Sequence, residues 1–311
     1  METKREFLKK LSLLATGALV AGKSSFASQR VGNNPATSKK IGLQIYSLGK
    51  ELTEDVPSGM KKIAEMGYSY IELAGYRDRK MGQYNMAEYR KIVEDAGLEI
   101  RSSHVNPPVR AFSKSNQGEI ADFWKQATED HLALGVKTLI QPMMPTIENH
   151  DDAQLVCEVF NQAGEIAREA GIKWGYHNHN MEFKRVVKEE DKGNEASWWM
   201  PHGDVIYDLL LEGTDPSLVF FEMDVYWTVM GQNDPLEYFE KYPDRFPVLH
   251  IKDRAVLGQS GMMNFKNIFN KAYEIGVKDF YVELEAVKSG ITQFEGVWQC
   301  FNYLNDASFV K

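Results

Sequence analysis

Cysteine is almost missing from this chain: Cys157 and Cys300 are the whole complement of 311 residues. So few exclude a disulfide-stapled scaffold. They leave either one Cys157–Cys300 bridge or two buried free thiols, and their wide separation in helical-looking segments favours the thiols. Long apolar runs are missing too. The N-terminal one covers only 11–21, against the roughly 20 residues a membrane-spanning helix needs. Cationic side chains are in the minority, 36 Lys and Arg against 44 Asp and Glu, for a net charge of −8. A surface of that sign repels phosphate backbones and anionic lipid, so nucleic acid and membranes are poor partners and a neutral or cationic small molecule fits better. No Gly-rich dinucleotide fingerprint follows the first apolar run. What is present is ordinary for a globular protein, 43% hydrophobic and 26% charged residues with 24 Gly and 11 Pro, which excludes disorder, collagen and coiled coil.

Lys4, Arg5, Lys9 and Lys10 precede the apolar stretch, and small residues follow it up to Ser25-Phe26-Ala27. That order is the pattern of a removable export signal. Residues 3–9 resemble the twin-arginine export motif with Lys4 at the place of the first arginine, which leaves the Tat and Sec routes open. Residues 1–27 hold five basic and two acidic side chains, so the remainder carries −11. We expect an export signal over 1–27, a polar linker over 28–40 and a catalytic domain over 41–311, acting in the periplasm without a membrane partner once the signal is removed.

From residue 41 short apolar runs alternate with segments of helical period. The candidate strands are 41–48, 68–74, 98–105, 136–142, 172–177, 218–224, 248–252 and 279–285. Amphipathic stretches such as 60–66, 89–96, 120–134, 153–170 and 265–275 lie between them, and Gly67, Gly97, Gly135, Gly171 and Gly276 stand where such helices end. A helix followed by glycine and then a strand is the signature of βα units in a parallel sheet. Eight units predict one α/β domain, a closed (β/α)8 TIM barrel. The connection over 184–204 is the odd one, charged and carrying Trp198, Trp199 and Pro201. It reads either as a lid whose aromatics stack on a sugar ring or as a surface flap packed on a helix.

In this architecture catalytic groups stand at the C-terminal ends of strands. Strand five ends in His177-Asn178-His179, strand six in Asp224, strand seven in His250 and strand eight in Glu283. One histidine from strand five, Asp224, His250 and Glu283 would converge on one divalent ion, Mn²⁺ first, with Zn²⁺, Co²⁺ or Fe²⁺ as alternatives. His177 and His179 compete for the strand-five position because residues two apart face the same side of an extended chain. Each residue also has a plainer role, as a helix cap or a satisfied polar core group. Glu182, Glu222 and Glu285 compete as ligands, and alternation puts Glu222 with Asp224 and Glu285 with Glu283. Glu72, His104, Lys252 and Asp253 stand at the same end as candidates for binding substrate hydroxyls, for supporting a ligand or for capping a loop. His131, His150 and His202 receive no function.

The stretches Gly42-Leu43-Gln44-Ile45-Tyr46-Ser47, Ile71-Glu72-Leu73-Ala74-Gly75-Tyr76, Tyr176-His177-Asn178-His179, Met223-Asp224-Val225-Tyr226-Trp227, His250-Ile251-Lys252-Asp253 and Val282-Glu283 resemble, in this order, the sugar phosphate isomerase/epimerase group of the xylose isomerase-like barrels. Those barrels also include sugar 3-epimerases, inosose dehydratases and endonuclease-IV-type enzymes. The resemblance implies that Asp224, His250 and Glu283 match three of four epimerase metal ligands. The fourth is a glutamate in the family, and His177 stands at its place. It also implies that Trp227 occupies a substrate-binding position held by histidine in several epimerases, and so offers a stacking surface.

The expected function is therefore a divalent-metal-dependent isomerase or epimerase that removes the α-proton of a sugar or keto-sugar through a metal-stabilised enediolate. Glu283 and one of His177 and His179 would carry the proton. Loss of the strand-five glutamate keeps a lyase or hydratase on a keto-sugar or 3-keto-glycoside as the alternative, with a non-catalytic exported sugar-binding barrel as the third reading. A nuclease is disfavoured by the charge, and no arginine cluster near the motifs suggests a phosphorylated sugar. The partner is a small carbohydrate, and a homo-oligomer is expected only because related barrels often form one.

Overall fold

The computed structural model describes residues 39–188 and 202–311. The expected export signal, nearly all of the expected linker, and Trp198, Trp199 and Pro201 lie outside the described residues. Lys39 already belongs to the folded domain, its ammonium donating to the carbonyls of Leu304, Asn305 and Ala307 at the end of the last helix.

All eight expected strands form. They are β1 (Gly42–Gln44), β2 (Tyr70–Leu73), β3 (Glu99–His104), β4 (Thr138–Gln141), β5 (Lys173–His177), β6 (Val219–Asp224), β7 (Val248–Lys252) and β8 (Asp279–Glu283). Each pairs in parallel with its sequence neighbours, and β1 pairs with β8 to close the barrel. The main outer helices are α1 (Val56–Met66), α2 (Met86–Asp95), α3 (Gln117–Leu134), α4 (His150–Glu169), α5 (Ile206–Gly213), α6 (Pro235–Lys241), α7 (Phe265–Glu274) and α8 (Gln293–Asp306). The five junction glycines all adopt positive φ, between 76° and 107°. Among the described residues no helix is long and apolar enough to cross a membrane.

The first expected strand is too long. The Gln44 side chain turns back to accept from Tyr46 N at 3.0 Å, and Ile45–Leu48 winds into a 3-10 turn. Both cysteines are free and buried, so the thiol reading holds and no Cys157–Cys300 bridge exists.

Alternation along the strands sorts their side chains into two cores. One set packs outward under the helices in a large apolar cluster. The other faces the barrel axis, where Tyr70, Ile140, Phe220, Val248 and Tyr281 form a separate plug. Gly175, beside Phe220 in the β5–β6 register, makes room for that ring, since a Cβ there would lie 2.6 Å from it. Gly175→Ala should therefore cost about 1–3 kcal/mol by overpacking. The check is a lower urea midpoint at unchanged slope, and wild-type stability would show that the axis is not packed this tightly.

Candidate functional site

Two positions beyond the plug on the same strands, the axis-facing residues turn polar: Glu72 follows Tyr70, Glu222 follows Phe220, His250 follows Val248 and Glu283 follows Tyr281. A register shift between Ile71 and Glu72 locally distorts the β2–β3 pairing at the first of them. The lower tier is a tight cluster. His250 Nε2 lies 2.6 Å from Glu72 Oε2 and 3.1 Å from Glu222 Oε2, and His104 Nε2 lies 2.8 Å from Glu222 Oε2 and 3.1 Å from Glu72 Oε2. Gln44 Nε2 donates to Glu72 Oε2 at 2.7 Å.

Above it, His177, Asp224, His250 and Glu283 bring one ligand-type atom each to within 4.8 Å of one another. A second such set among the described residues, His104, His177, Glu222 and His250, shares two members with the first. Asp224 shows why the cap and ligand roles need not compete. Its Oδ1 accepts from Trp227 N at 2.8 Å and caps the short helix Val225–Met230, while its buried Oδ2 has no partner. Glu72 Oε1, Glu222 Oε1 and His177 Nδ1 are likewise buried without a hydrogen bond. Orphaned acceptor-type atoms are costly in a dry interior, and two of these four sit on quartet residues, His177 and Asp224. A cation would satisfy them, and imidazoles with carboxylates suit a divalent first-row ion.

The remaining expected residues fall around this centre. His177 is the strand-five histidine that joins the quartet. His179 stands outside it, its ring 5.0 Å from that of His177 and 5.7 Å from that of Trp227. Glu182 anchors this loop, accepting from Tyr176 OH at 2.5 Å and from His179 N at 3.0 Å. Asn178 ties β5 to β6 by accepting from Asp224 N and from Tyr207 OH, each at 3.1 Å. Lys252 is buried, its ammonium 3.2 Å from Glu283 and 2.9 Å from Glu285, with Trp227 beneath it at 5.4 Å. Asp253 takes the loop-capping place among its three expected ones: it accepts from Arg254 N and Gly258 N at 2.7 and 3.0 Å. His131 is a satisfied core group between Ala127 O and Ser103 Oγ.

Burial sets the protonation of this cluster. It pushes Asp224 up to about 8, with the Glu283 charge adding and Lys252 opposing. It raises Glu222 to about 7, with Glu72 adding. Burial alone would raise Glu283, but Lys252 and His250 hold it well below the usual carboxylate range. His250 is driven far up by Glu222, Glu72 and Glu283 against its own burial. Burial and the neighbouring His250 push His177 far down, and burial takes His179 to about 4. Both strand-five imidazoles, the histidines expected to carry the proton, therefore rest neutral.

The sequence matches the family described as xylose isomerase-like TIM barrel over residues 60–299. The chain belongs to that family. Among solved structures, a sugar phosphate isomerase/epimerase from Parabacteroides distasonis is 54% identical with a TM-score of 0.84, over 88% of this chain and all of that one. An inosose dehydratase from Clostridium perfringens is 26% identical over 64% of this chain and 67% of that protein. A D-psicose 3-epimerase from Clostridium cellulolyticum, 14% identical, shares the fold at a TM-score of 0.63 over 87% of this chain and 99% of that one.

Within this xylose isomerase-like barrel, two polar groups and one pairing escaped the strand-end reading. Gln44 ends β1 and Gln141 ends β4, so their position was visible, but glutamine carries no charge to draw notice. The third is the pairing of Lys252 with Glu285 beyond the end of β8. Glu222 was legible as an axis-facing residue but not as the hub of the lower tier.

Proposed function

We propose that this protein is a divalent-metal-dependent isomerase or epimerase-type enzyme that removes a proton from carbon next to a carbonyl in a sugar or keto-sugar. The observation that carries it is the convergence of His177, Asp224, His250 and Glu283 on one point with an orphaned Asp224 oxygen. A divalent ion in that quartet, Mn²⁺ for preference, supplies Lewis-acid polarisation of adjacent substrate oxygens.

The chain's own groups do the rest. Glu283 stays ionised beside Lys252 and takes the α-proton onto its carboxylate. His179, resting neutral, offers a hydrogen bond to the substrate oxygen or accepts its proton, and Trp227 presents a face to the sugar ring. Lys252 rests charged between Glu283 and Glu285 and is the acid nearest the base. Glu72, fully buried, holds the His250 ring from behind, and His104, which also lines the neighbouring cavity, is the one of the two placed for a substrate hydroxyl.

A specific observation favours a second reading, elimination of water or of a glycosidic group from a keto-sugar. The strand-five position holds His177 where a symmetric epimerase needs a second carboxylate base, which leaves one base and one acid. The similarity to inosose dehydratases supports the same reading. The basic, apolar and small-residue order of residues 1–27 supports export to the periplasm.

The test is metal analysis of the purified protein followed by proton exchange in D₂O with free aldoses, ketoses and 3-keto-glycosides. About one equivalent of metal with deuterium at an α-carbon is expected, and the product separates isomerase from lyase. Metal and tight sugar binding without exchange would instead make this a binding barrel.

A further inference from the structure

Beside the polar tiers the barrel mouth opens into a cavity of about 650 Å³ whose lining includes His104, Arg77, Arg110, Asn106 and Gln141. One wall is a hairpin, Tyr76–Arg77 paired antiparallel with Lys80–Met81. Its turn residues Asp78 and Arg79 both sit at positive φ, 50° and 61°. Neither is glycine, and such a backbone costs about 1–3 kcal/mol per residue unless its surroundings hold it. Asp130 of α3 does so, accepting from Arg79 Nη2 at 2.6 Å, Arg79 Nε at 3.0 Å and Tyr76 OH at 2.7 Å. Arg79 is thereby committed to the scaffold. Arg77 is exposed on the cavity wall, and Arg110, also exposed, places Nη2 3.6 Å from the weak acceptor Met143 Sδ.

Asp78 at the hairpin tip is the opposing charge, and the wall is cationic on balance in a chain that is acidic as a whole. The fold has gathered arginines that showed no cluster in the sequence. Gln141 adds an independent sign of a ligand: it is 1% exposed, its Nε2 donates to Met143 O at 2.9 Å, and its Oε1 has no partner. A planar guanidinium fork matches a carboxylate. Phosphate sites of such barrels stand on the loops after strands seven and eight, whereas Arg77 and Arg110 follow β2 and β3.

We propose that this cavity is a sugar subsite for a carboxylate-bearing unit, a uronic acid, held by Arg77 and Arg110 with a ring hydroxyl on Gln141. Resting on the reaction proposed above, the substrate is then an acidic sugar or glycoside whose reacting carbon lies over the quartet. Calorimetry on the Mn²⁺-loaded full chain, with D-glucuronate, D-glucose and glucose 6-phosphate as probes, tests it. Glucuronate should bind at least about tenfold more tightly than glucose. The ratio should fall towards one in the Arg77→Gln, Arg110→Gln double variant and in part in Asp130→Asn, which releases the hairpin. Equal affinities, no binding of glucuronate, or a preference that survives the double variant overturns the subsite. A preference for glucose 6-phosphate overturns the carboxylate. Because affinity is read without turnover, arginine-dependent uronate binding without deuterium exchange keeps the subsite and removes the reaction. Exchange on neutral sugars with no uronate preference does the reverse.

Discussion

His250→Ala and Glu283→Ala are each expected to abolish stoichiometric metal binding. The two residues come from adjacent strands whose register sets Lys252 opposite Glu283 and His250 opposite Tyr281, so both side chains face the axis. His250 Nδ1 lies 3.3 Å from Glu283 Oε2 while its Nε2 is taken up by Glu72 at 2.6 Å. That arrangement fixes the ring and leaves Nδ1 towards the quartet, the role carboxylates play behind metal-bound histidines. Loss of such an outer partner typically costs about 10–100-fold in affinity, so Glu72→Gln should weaken the ion by that amount and either alanine variant by more. Elemental analysis and Mn²⁺ calorimetry read the effect, with circular dichroism confirming that each variant is folded. Unchanged metal content in both alanine variants would reduce the quartet to caps and polar core groups.

The barrel was legible because its signal is local and repeated. Apolar runs, amphipathic helices and the glycines Gly67, Gly97, Gly135, Gly171 and Gly276 each mark one βα unit, and eight units leave little choice of closure. The quartet was legible for a related reason, since Asp224, His250 and Glu283 are strand-end residues and a strand end in this fold is a position in space. Depth was not. Period-two alternation places Glu222 and Asp224 on one face but does not say that Glu222 meets His104 and His250 in a lower tier, which depends on strand tilt and stagger. The choice between His177 and His179 was open for the same reason, since both share a face and only the path of the Glu182-anchored loop separates them. Nor was the charge pattern legible: a net value averages over the surface, and the two arginines of the cavity come from different loops.

Metal uptake should strengthen steeply between pH 6 and 8 and release protons as it does so. In the metal-free protein burial, reinforced by the Glu283 charge, holds Asp224 at about 8, and burial with the Glu72 charge holds Glu222 at about 7. Both carboxyls are therefore substantially protonated near neutrality, and His250 carries its extra proton under the pull of Glu222, Glu72 and Glu283. A ligand must be deprotonated to bind, so the ion displaces the protons of Asp224 and His250, and its charge also favours ionisation of Glu222 behind them. The sign follows directly: groups whose pKa is raised in the free site hold protons that oppose the cation, and their opposition fades as pH climbs through about 7 and then about 8. Each proton released near these midpoints contributes up to about tenfold in affinity per pH unit, the equivalent of about 1.4 kcal/mol. Glu283 adds nothing to this slope, because Lys252 and His250 keep it ionised throughout the range despite its burial. Calorimetric titration with Mn²⁺ at pH 7 in two buffers of different ionisation enthalpy counts the protons, and at least about one is expected. Uptake without proton release, or affinity flat from pH 6 to 8, would show that Asp224 and His250 already stand in their metal-ready forms and that burial does not govern this cluster.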